Sequence, residues 1–407
     1  MAADTLFRRI TDYANRANPY PLYAELREHG IVRQDDGSYM VGTYHEIAAL
    51  LHDPRISSDP RNRTVPDVVP DETAGIPSAF IRLDDPEHER LRNLAMRPFG
   101  PPHCPGRIDA MHSEITAIAK ELIDALQDRD RIELVEDFAY PLPVTVICRL
   151  LGVPREDEPR FHAWSEAVIA ALDPTPGSDP AESQRAAAAA RATMGQYLGQ
   201  LADNRRGKSL DGMLSAFVND PGPDGGFTRP ELMSTAVLLL IAGHETTVNL
   251  ITNGMLTLVR HPEALERLCR EPELMPRAVE ELLRYEPPVH MLPWRTALTD
   301  VEVAGVTIPK GTPLTLVLAS GSRDPRRFPD PDRFDPGRRD NQHFGFGGGV
   351  HSCFGAPLAR VEAQVALTAL TRRLEGPRLA QDPPPYRRSP ILRGPRHLPL
   401  EISRISD

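Results

Sequence analysis

One long apolar segment in the second half of the chain constrains the fold more than any other feature. It opens with the letters TRPE, which predict a capping box in which Thr228 is the N-cap and Glu231 reaches back to it. The helical pattern then continues for about thirty residues, or roughly 45 Å, until His261 and Pro262 end it. A helix of this length is expected to cross the whole molecule.

The middle of this helix is apolar on nearly every face, so it is predicted to be buried. The same stretch nevertheless contains Gly243, His244, Glu245, Thr246 and Thr247. Buried polar groups need hydrogen-bond partners or a function. We therefore look for functional residues in the centre of this helix.

The rest of the chain predicts a mainly α fold with a small β-sheet region. Apolar residues recur at three- and four-residue spacing in further segments, at 108–126, 156–172, 183–201, 275–285 and 357–374. Short alternating runs near 38–42 and 301–318 predict the strands. Because neither a repeat nor a linker divides the chain, we expect residues 1–407 to form a single domain.

Charge and cysteine usage exclude several classes of protein. The formal net charge of -10 argues against a broad nucleic-acid-binding surface. Four widely spaced cysteines without CxxC spacing indicate neither a disulfide framework nor a zinc ribbon. The N-terminus lacks the apolar core of a signal peptide, and no apolar run approaches the ~20 residues of a membrane span. We expect a cytoplasmic protein with no membrane anchor and no nucleic-acid partner.

The segment FGFGGGVHSCFGAPLAR places Cys353 after a glycine-rich loop and just before a predicted helix. A helix N-terminus favours a thiolate, because its dipole and its unpaired N–H groups lower the pKa of a thiol. Gly347, Gly348, Gly349 and Gly355 lack side chains, so a flat and bulky group could approach the sulfur.

Three other interpretations of this segment are possible. A lone buried cysteine is usually a small apolar residue. A nucleotide loop is disfavoured because Val350 replaces the third glycine of GxGxxG and a GK[ST] ending is absent. Zinc bound by His351 and Cys353 would need two more ligands that nearby segments do not offer. Spacing alone leaves heme or metal ligation and a plain structural cysteine both open.

A resemblance to a known family decides between them. Phe346, Gly349, His351, Cys353 and Gly355 stand in a pattern that resembles the heme-binding signature of the cytochromes P-450. The resemblance implies the P-450 fold, with the heme between the long central helix and the helix that follows the Cys loop. It also implies heme b (iron protoporphyrin IX) as the cofactor and Cys353 as the ligand of its iron, whose thiolate favours O–O cleavage.

Further motifs occur in the order in which this family has them. The letters AGHETT from Ala242 resemble its oxygen-activating helix, and ELLR from Glu281 resembles its ExxR motif. FPDPDRFDP resembles the segment whose arginine, here Arg333, completes the ExxR network. DPEH, followed by Arg92, resembles its propionate-binding helix. The resemblance covers essentially the whole chain and is closest to soluble bacterial members.

The resemblance implies that Thr246 and Glu245 deliver protons to bound oxygen. Thr246 can bond the carbonyl of Ala242, and with Gly243 this is expected to loosen the helix and to open a groove for oxygen and water. Glu245 could instead position water or pair with a basic group.

The family's other site residues bind or support the heme. His88, Arg92, Arg295 and His351 match the positions that bind the two propionates. A structural network is also expected, in which Glu281 binds both Arg284 and Arg333 and ties its helix to the segment before the Cys loop; this set is Glu281, Arg284 and Arg333.

We therefore predict a heme monooxygenase that inserts one atom of O2 into a mid-sized apolar substrate, by hydroxylation or epoxidation in natural-product tailoring. Electrons would come from NAD(P)H through a ferredoxin reductase and a ferredoxin, and the enzyme would be a monomer. Alternatives are catabolism of a terpenoid, steroid or aromatic compound, ring coupling, nitration or peroxygenation on the same heme, and a heme-thiolate sensor without turnover.

Two further surfaces are expected, one that selects the substrate and one that binds the electron donor. Specificity is expected from variable segments, at 56–80, 173–183, 287–292 and 389–394. A basic patch for an acidic ferredoxin could be formed by arginines near the Cys loop, namely Arg90, Arg97, Arg360, Arg372 and Arg373.

Overall fold

Helices make up most of the chain. The computed structural model describes residues 5–63, 76–100, 104–172, 180–208, 210–220, 222 and 225–406. The helices in these ranges are α1 (Leu6–Thr11), α2 (Tyr20–His29), α3 (Tyr44–His52), α4 (Glu87–Met96), α5 (Arg107–Asp124), α6 (Pro141–Leu151), α7 (Glu158–Leu172), α8 (Pro180–Asp203), α9 (Met213–Asn219), α10 (Arg229–Arg260), α11 (Pro262–Arg270), α12 (Met275–Tyr285), α13 (Leu318–Gly321) and α14 (Ala356–Arg373).

The strands are short. They are β1 (Ile31–Arg33), β2 (Tyr39–Val41), β3 (Ile56–Ser57), β4 (Arg131–Glu133), β5 (Leu292–Ala297), β6 (Val301–Val303), β7 (Val306–Ile308), β8 (Pro313–Leu316), β9 (Leu374–Glu375), β10 (Arg378–Leu379), β11 (Pro399–Glu401) and β12 (Arg404–Ile405). The prediction of a mainly α chain with small sheets is confirmed.

The long helix predicted from the apolar segment is α10. Its N-terminus carries the expected capping box: the Glu231 N–H donates to the Thr228 hydroxyl at 3.4 Å, and the Thr228 N–H donates to the Glu231 carboxylate at 2.8 Å. By length and composition α10 could cross a membrane, but 72% of its most apolar window is buried inside the protein. That burial is typical of the core helix of a globular domain.

The main core forms where α10 packs against α6, α8, α12 and α14. Gly254 of α10 permits a close approach, because a Cβ there would lie 3.1 Å from both Leu282 of α12 and Leu367 of α14. About two turns before Gly254, Thr247 faces Glu362 of α14. The contacts therefore follow the same order along both helices, and the N-terminal end of α14 lies toward the start of the AGHETT segment.

The largest sheet has the strand order β1-β2-β8-β5-β3, with β2 and β8 parallel and the other neighbours antiparallel. Its β5 strand has a register shift between Leu292 and Arg295, and Trp294 within the shift has a φ of 64°. A bulge re-aims the side chains that follow it. Trp294 is exposed and Arg295 resumes the pairing, opposite Leu314.

Candidate active site

Cys353 lies between the 3-10 turn Gly349–His351 and the start of α14. Its own N–H donates to the Phe346 carbonyl at 2.9 Å, which closes the loop. The residue has exposed surface, while its thiol lies deep enough among protein atoms that burial raises its pKa. Hydrogen bonds from the N–H groups of Gly355 and Ala356 act in the opposite direction and lower the pKa.

The glycines of this loop do not all serve one purpose. Gly349 has a φ of 65°, and a Cβ there would lie 1.9 Å from the carbonyl oxygen of Leu51 in α3. Gly349 is therefore required so that the loop can pack on α3, which differs from the expectation that it opens space for a flat ligand. At Gly355 a Cβ would make an ordinary contact with the Cys353 sulfur, at 3.7 Å.

The loop is held on both sides by Glu280 of α12. His343, before the loop, donates from Nε2 to the Glu280 carboxylate at 3.2 Å, since its Nδ1 accepts from the Gly345 N–H. Arg360 of α14, after the loop, donates to the same carboxylate at 2.6 and 2.9 Å. Burial alone would raise the pKa of Glu280, but the bonds to His343 and Arg360 outweigh it and hold the pKa at about 2. No pattern in the sequence predicts this role of Glu280.

The AGHETT segment places an alcohol and a buried acid side by side. The Thr246 hydroxyl donates to the Ala242 carbonyl at 3.0 Å, as expected, and Ala242 itself is exposed. Glu245 is only 2% exposed. Helix α10 is continuous through Gly243, and the space that a Cβ would take there is filled by Ile147 of α6, 2.8 Å away. Gly243 thus allows α6 to approach α10.

Four cationic or imidazole side chains, which we expect to bind the propionates, converge beside the Cys loop. The rings of His88 and His351 lie 4.2 Å apart, and Arg92 donates to the Ser352 carbonyl at 2.6 Å. Burial, followed by the charges of His88, Arg295 and Arg92, lowers the pKa of His351 to about 3. Burial also lowers the pKa of Arg295 to about 10.

This cluster suits an anionic group such as the two heme carboxylates. Nε2 of His88 and Nδ1 of His351 are buried and have no hydrogen-bond partner within the described ranges. Asp85 accepts from Nδ1 of His88 at 2.9 Å, so a protonated His88 retains an Nε2–H for a carboxylate. An anion would also offset the positive potential that acts on His351.

The ExxR network forms, but with a different second arginine. Arg284 makes two bonds of 2.8 Å to the Glu281 carboxylate, and both side chains are fully buried. The second cation is Arg338, whose Nε lies 3.1 Å from the same carboxylate. Arg333 was predicted for this place, and that prediction is wrong: its side chain is exposed, and only its carbonyl takes part, accepting from Arg284 and Arg338.

Glu245 has an ion-pair partner that no pattern in the sequence predicts. Arg387, in the C-terminal part of the chain, has Nη1 3.0 Å from Oε1 of Glu245. A buried carboxylate in an apolar helix signals that a cation must lie nearby. The spacing along the chain does not reveal which of the many arginines it is.

The specificity segments are only partly described. Residues 64–75 and 173–179 of the segments predicted at 56–80 and 173–183 lie outside the described residues. In the segment 287–292, His290 is fully buried and its ring nitrogen lies 2.8 Å from the Tyr23 hydroxyl, while Met291 packs in the core near β2.

Comparison with known proteins agrees with this arrangement. The family model for cytochrome P450 matches residues 36–400. The cytochrome P450 monooxygenase PikC of Streptomyces venezuelae is 40% identical, over 95% of this chain and 92% of its own length. The mycinamicin IV hydroxylase/epoxidase of Micromonospora griseorubida is 39% identical, over 93% of this chain and 94% of its own. The crystal structure of Mycobacterium smegmatis CYP164A2 superimposes with a TM-score of 0.87 at 38% identity, covering 98% of this chain and 100% of that one.

The corrected network gives a paired test of stability. Arg338→Ala should lower the free energy of unfolding by about 3 kcal/mol, because it removes one partner of a fully buried carboxylate. Arg333→Ala should change it by less than about 0.5 kcal/mol, because it removes an exposed side chain and keeps the carbonyl. Urea unfolding followed by circular dichroism measures both. Equal losses in the two variants would contradict the assignment of Arg338.

Proposed function

Because the chain belongs to the cytochrome P450 family, we propose that it is a monooxygenase that binds heme b through Cys353 and oxidises a mid-sized apolar natural product. Heme and O2 are the cofactor and the co-substrate of the family. The observation that supports the site most strongly is the position of Cys353. It is the cysteine at a helix N-terminus, with two N–H groups directed at its sulfur and the cationic cluster beside it.

We propose that the residues around Cys353 hold the heme by charge and by shape. The two propionates need cationic or hydrogen-bonding partners in a partly dry site. We propose that these partners are His88, Arg92, Arg295 and His351. Other residues would shape the two faces, namely Ala242 and Gly243 on α10 and Phe346, Gly349 and Gly355 in the Cys loop.

The bound heme supplies the redox chemistry, in which one oxygen atom of O2 enters the substrate and the other leaves as water. The chain must then supply protons and exclude bulk water. We propose Thr246 and Glu245 for proton delivery. The Thr246 hydroxyl donates its hydrogen bond to the Ala242 carbonyl. Its oxygen can therefore accept a hydrogen bond from a water that carries protons inward. Glu245 is the adjacent buried group that can exchange a proton with that water.

Natural-product tailoring is the substrate class that we favour over catabolism. One relative is named as a mycinamicin IV hydroxylase/epoxidase, another as a 6-deoxyerythronolide B hydroxylase and a third as a polyketide biosynthesis cytochrome P450. An apolar substrate would also fit a site beside the stretch Ala236–Ile241 of α10, which is apolar throughout.

We propose that electrons reach the heme from NAD(P)H through a ferredoxin reductase and a ferredoxin, and that the enzyme works as a soluble monomer in the cytoplasm. The predicted basic patch supports this partner less than expected, because acids neutralise most of it. Arg90 pairs with Glu231, Arg97 with Asp220, Arg360 with Glu280 and Arg373 with Asp124. Arg372 remains exposed at the end of α14.

The axial ligand is tested by spectroscopy. The reduced protein under carbon monoxide should show the strongly red-shifted Soret band of a thiolate-ligated heme. Cys353→Ala should abolish this band, because no other thiol in the described chain lies beside the cationic cluster. Cys269→Ala, which removes another exposed cysteine, should leave the band in place. A histidine-type spectrum from folded wild-type protein would contradict the proposal.

The substrate class is tested by titration of the ferric enzyme. Macrolides should displace water from the iron and shift the Soret band, with a Kd within the range of about 1 µM to 1 mM that is usual for enzyme substrates. Steroids and monoterpenes provide the comparison for the catabolic alternative. Tighter binding and faster turnover of those compounds than of every macrolide tested would favour catabolism.

Proton delivery is tested with Thr246→Ala. This variant should bind heme and substrate, yet the product formed per NADH should fall at least about tenfold, because a positioned proton donor contributes about 10²–10⁴-fold. Hydrogen peroxide should account for the lost product. Thr252→Ala is the matched control, since Thr252 makes the same kind of bond to a carbonyl of α10 while fully buried. Unchanged coupling in Thr246→Ala would mean that this hydroxyl does not deliver protons.

A further inference from the structure

Several buried polar atoms lie together beside Glu245, on the side of α10 that faces the C-terminal part of the chain. Neither carboxylate oxygen of Glu245 has a hydrogen-bond partner among the described residues. The nearest groups are Arg387 Nη1, at 3.0 Å but outside hydrogen-bond geometry, and His244 Nε2, at 3.9 Å. The ion pair therefore balances the charge of Glu245 without satisfying its lone pairs.

Asn249 continues the same face one helical turn later. It is 0% exposed, and both its Oδ1 and its Nδ2 lack partners in the described part of the chain. Asn253, another turn along α10, is partly satisfied, because its amide donates to the Arg393 carbonyl at 2.9 Å while its Oδ1 lacks a described partner. By contrast, none of the side-chain polar atoms of Glu245 and Asn249 has a hydrogen bond among the described residues.

The C-terminal segment brings Arg387 and Gly394 to this face together. Their backbones are joined, since the Arg387 N–H donates to the Gly394 carbonyl at 3.0 Å. A Cβ at Gly394 would lie 2.2 Å from Oδ1 of Asn249, so the backbone approaches the amide closely. The Nε of Arg387 is buried and also lacks a described partner. We call Glu245, Asn249 and Arg387 the acid cluster.

Buried polar groups of this kind are normally satisfied by the protein or by ordered water, and a buried water uses about two to four such partners. The acid cluster offers five unsatisfied atoms: two from Glu245, two from Asn249 and one from Arg387. Carboxylate oxygens and Oδ1 accept, whereas Nδ2 and Nε–H donate. A water molecule needs both kinds of partner, and the cluster has both.

We infer that the acid cluster binds ordered water, and that Arg387 is the positioning residue that holds the Glu245 carboxylate for proton delivery. This inference rests on the proposed roles of Thr246 and Glu245. The cation keeps the carboxylate at one location on the helix face, and water bonded to Asn249 and Arg387 connects it to a supply of protons. Arg387 and Asn249 touch neither substrate nor heme in this scheme and act through Glu245.

The functional test compares two arginines of the same segment. Arg387→Met should lower the product formed per NADH severalfold and raise the solvent deuterium isotope effect on product formation, while substrate affinity and the carbon monoxide spectrum stay as in wild type. Arg387→Lys should restore much of the coupling. Arg388→Met is the matched control, because the Arg388 guanidinium stacks on Tyr13, 4.5 Å from its ring centroid. It should behave as wild type.

The water is tested separately with Asn249→Leu and by crystallography. A leucine of similar size removes both polar atoms, and we expect a loss of coupling together with an unchanged or higher melting temperature, since an unsatisfied buried amide costs stability. A high-resolution crystal structure of the wild-type holoenzyme should show water within hydrogen-bond distance of Glu245 and Asn249.

The outcomes separate this inference from the proposed function. Wild-type coupling and isotope effect in both Arg387→Met and Asn249→Leu, or a dry cluster in the crystal, would overturn the inference even if Thr246→Ala is uncoupled. Unchanged coupling in Thr246→Ala would instead overturn the proposed mechanism on which it rests.

Discussion

The two adjacent glutamates of α12 hold the part of the chain on which the active site depends. Glu281 is fully buried and binds Arg284 and Arg338, which fixes the segment that leads toward the Cys loop. Glu280 then joins His343 before the loop to Arg360 after it. Removing the Glu281 carboxylate would leave the fully buried Arg284 without its anion, which is costly. Removing the Glu280 carboxylate would break the link between the two sides of the loop. The position of Cys353 thus follows from charge pairs made elsewhere on the chain.

The long helix α10 has to pack in the apolar core and also to carry polar side chains at its centre. Its length and apolar surface stabilise the core, yet its centre must keep an acid and an alcohol available. Thr246 is satisfied within the helix, by the Ala242 carbonyl, so it costs the fold little. Glu245 cannot be satisfied locally, and its charge is balanced by Arg387 from a distant segment. The buried carboxylate of α10 therefore depends on a cation from the C-terminal part of the chain.

Local patterns in the sequence were enough to predict the helices and much of the site. The capping box of α10, the cysteine at the start of α14 and the convergence of His88 with His351 follow from spacing or from the family signature. The wrong prediction concerns an ion-pair partner, Arg333, whose place depends on tertiary packing. Arg333 and Arg338 lie in one arginine-rich segment, and only the course of the backbone decides which side chain reaches Glu281.

In the mechanism that we propose, the C-terminal segment connects substrate recognition with proton delivery. Residues 389–394, which we expect to contribute to specificity, pair with 287–292: the His290 N–H donates to the Ile391 carbonyl, and the Arg393 N–H donates to the Pro288 carbonyl. The same segment carries Arg387, whose backbone is bonded to Gly394. Because of this bond, we expect a substrate that displaces residues 389–394 to displace the cation beside Glu245 as well. Substrates that fit the segment poorly should then be oxidised with more loss to peroxide, even where they bind well.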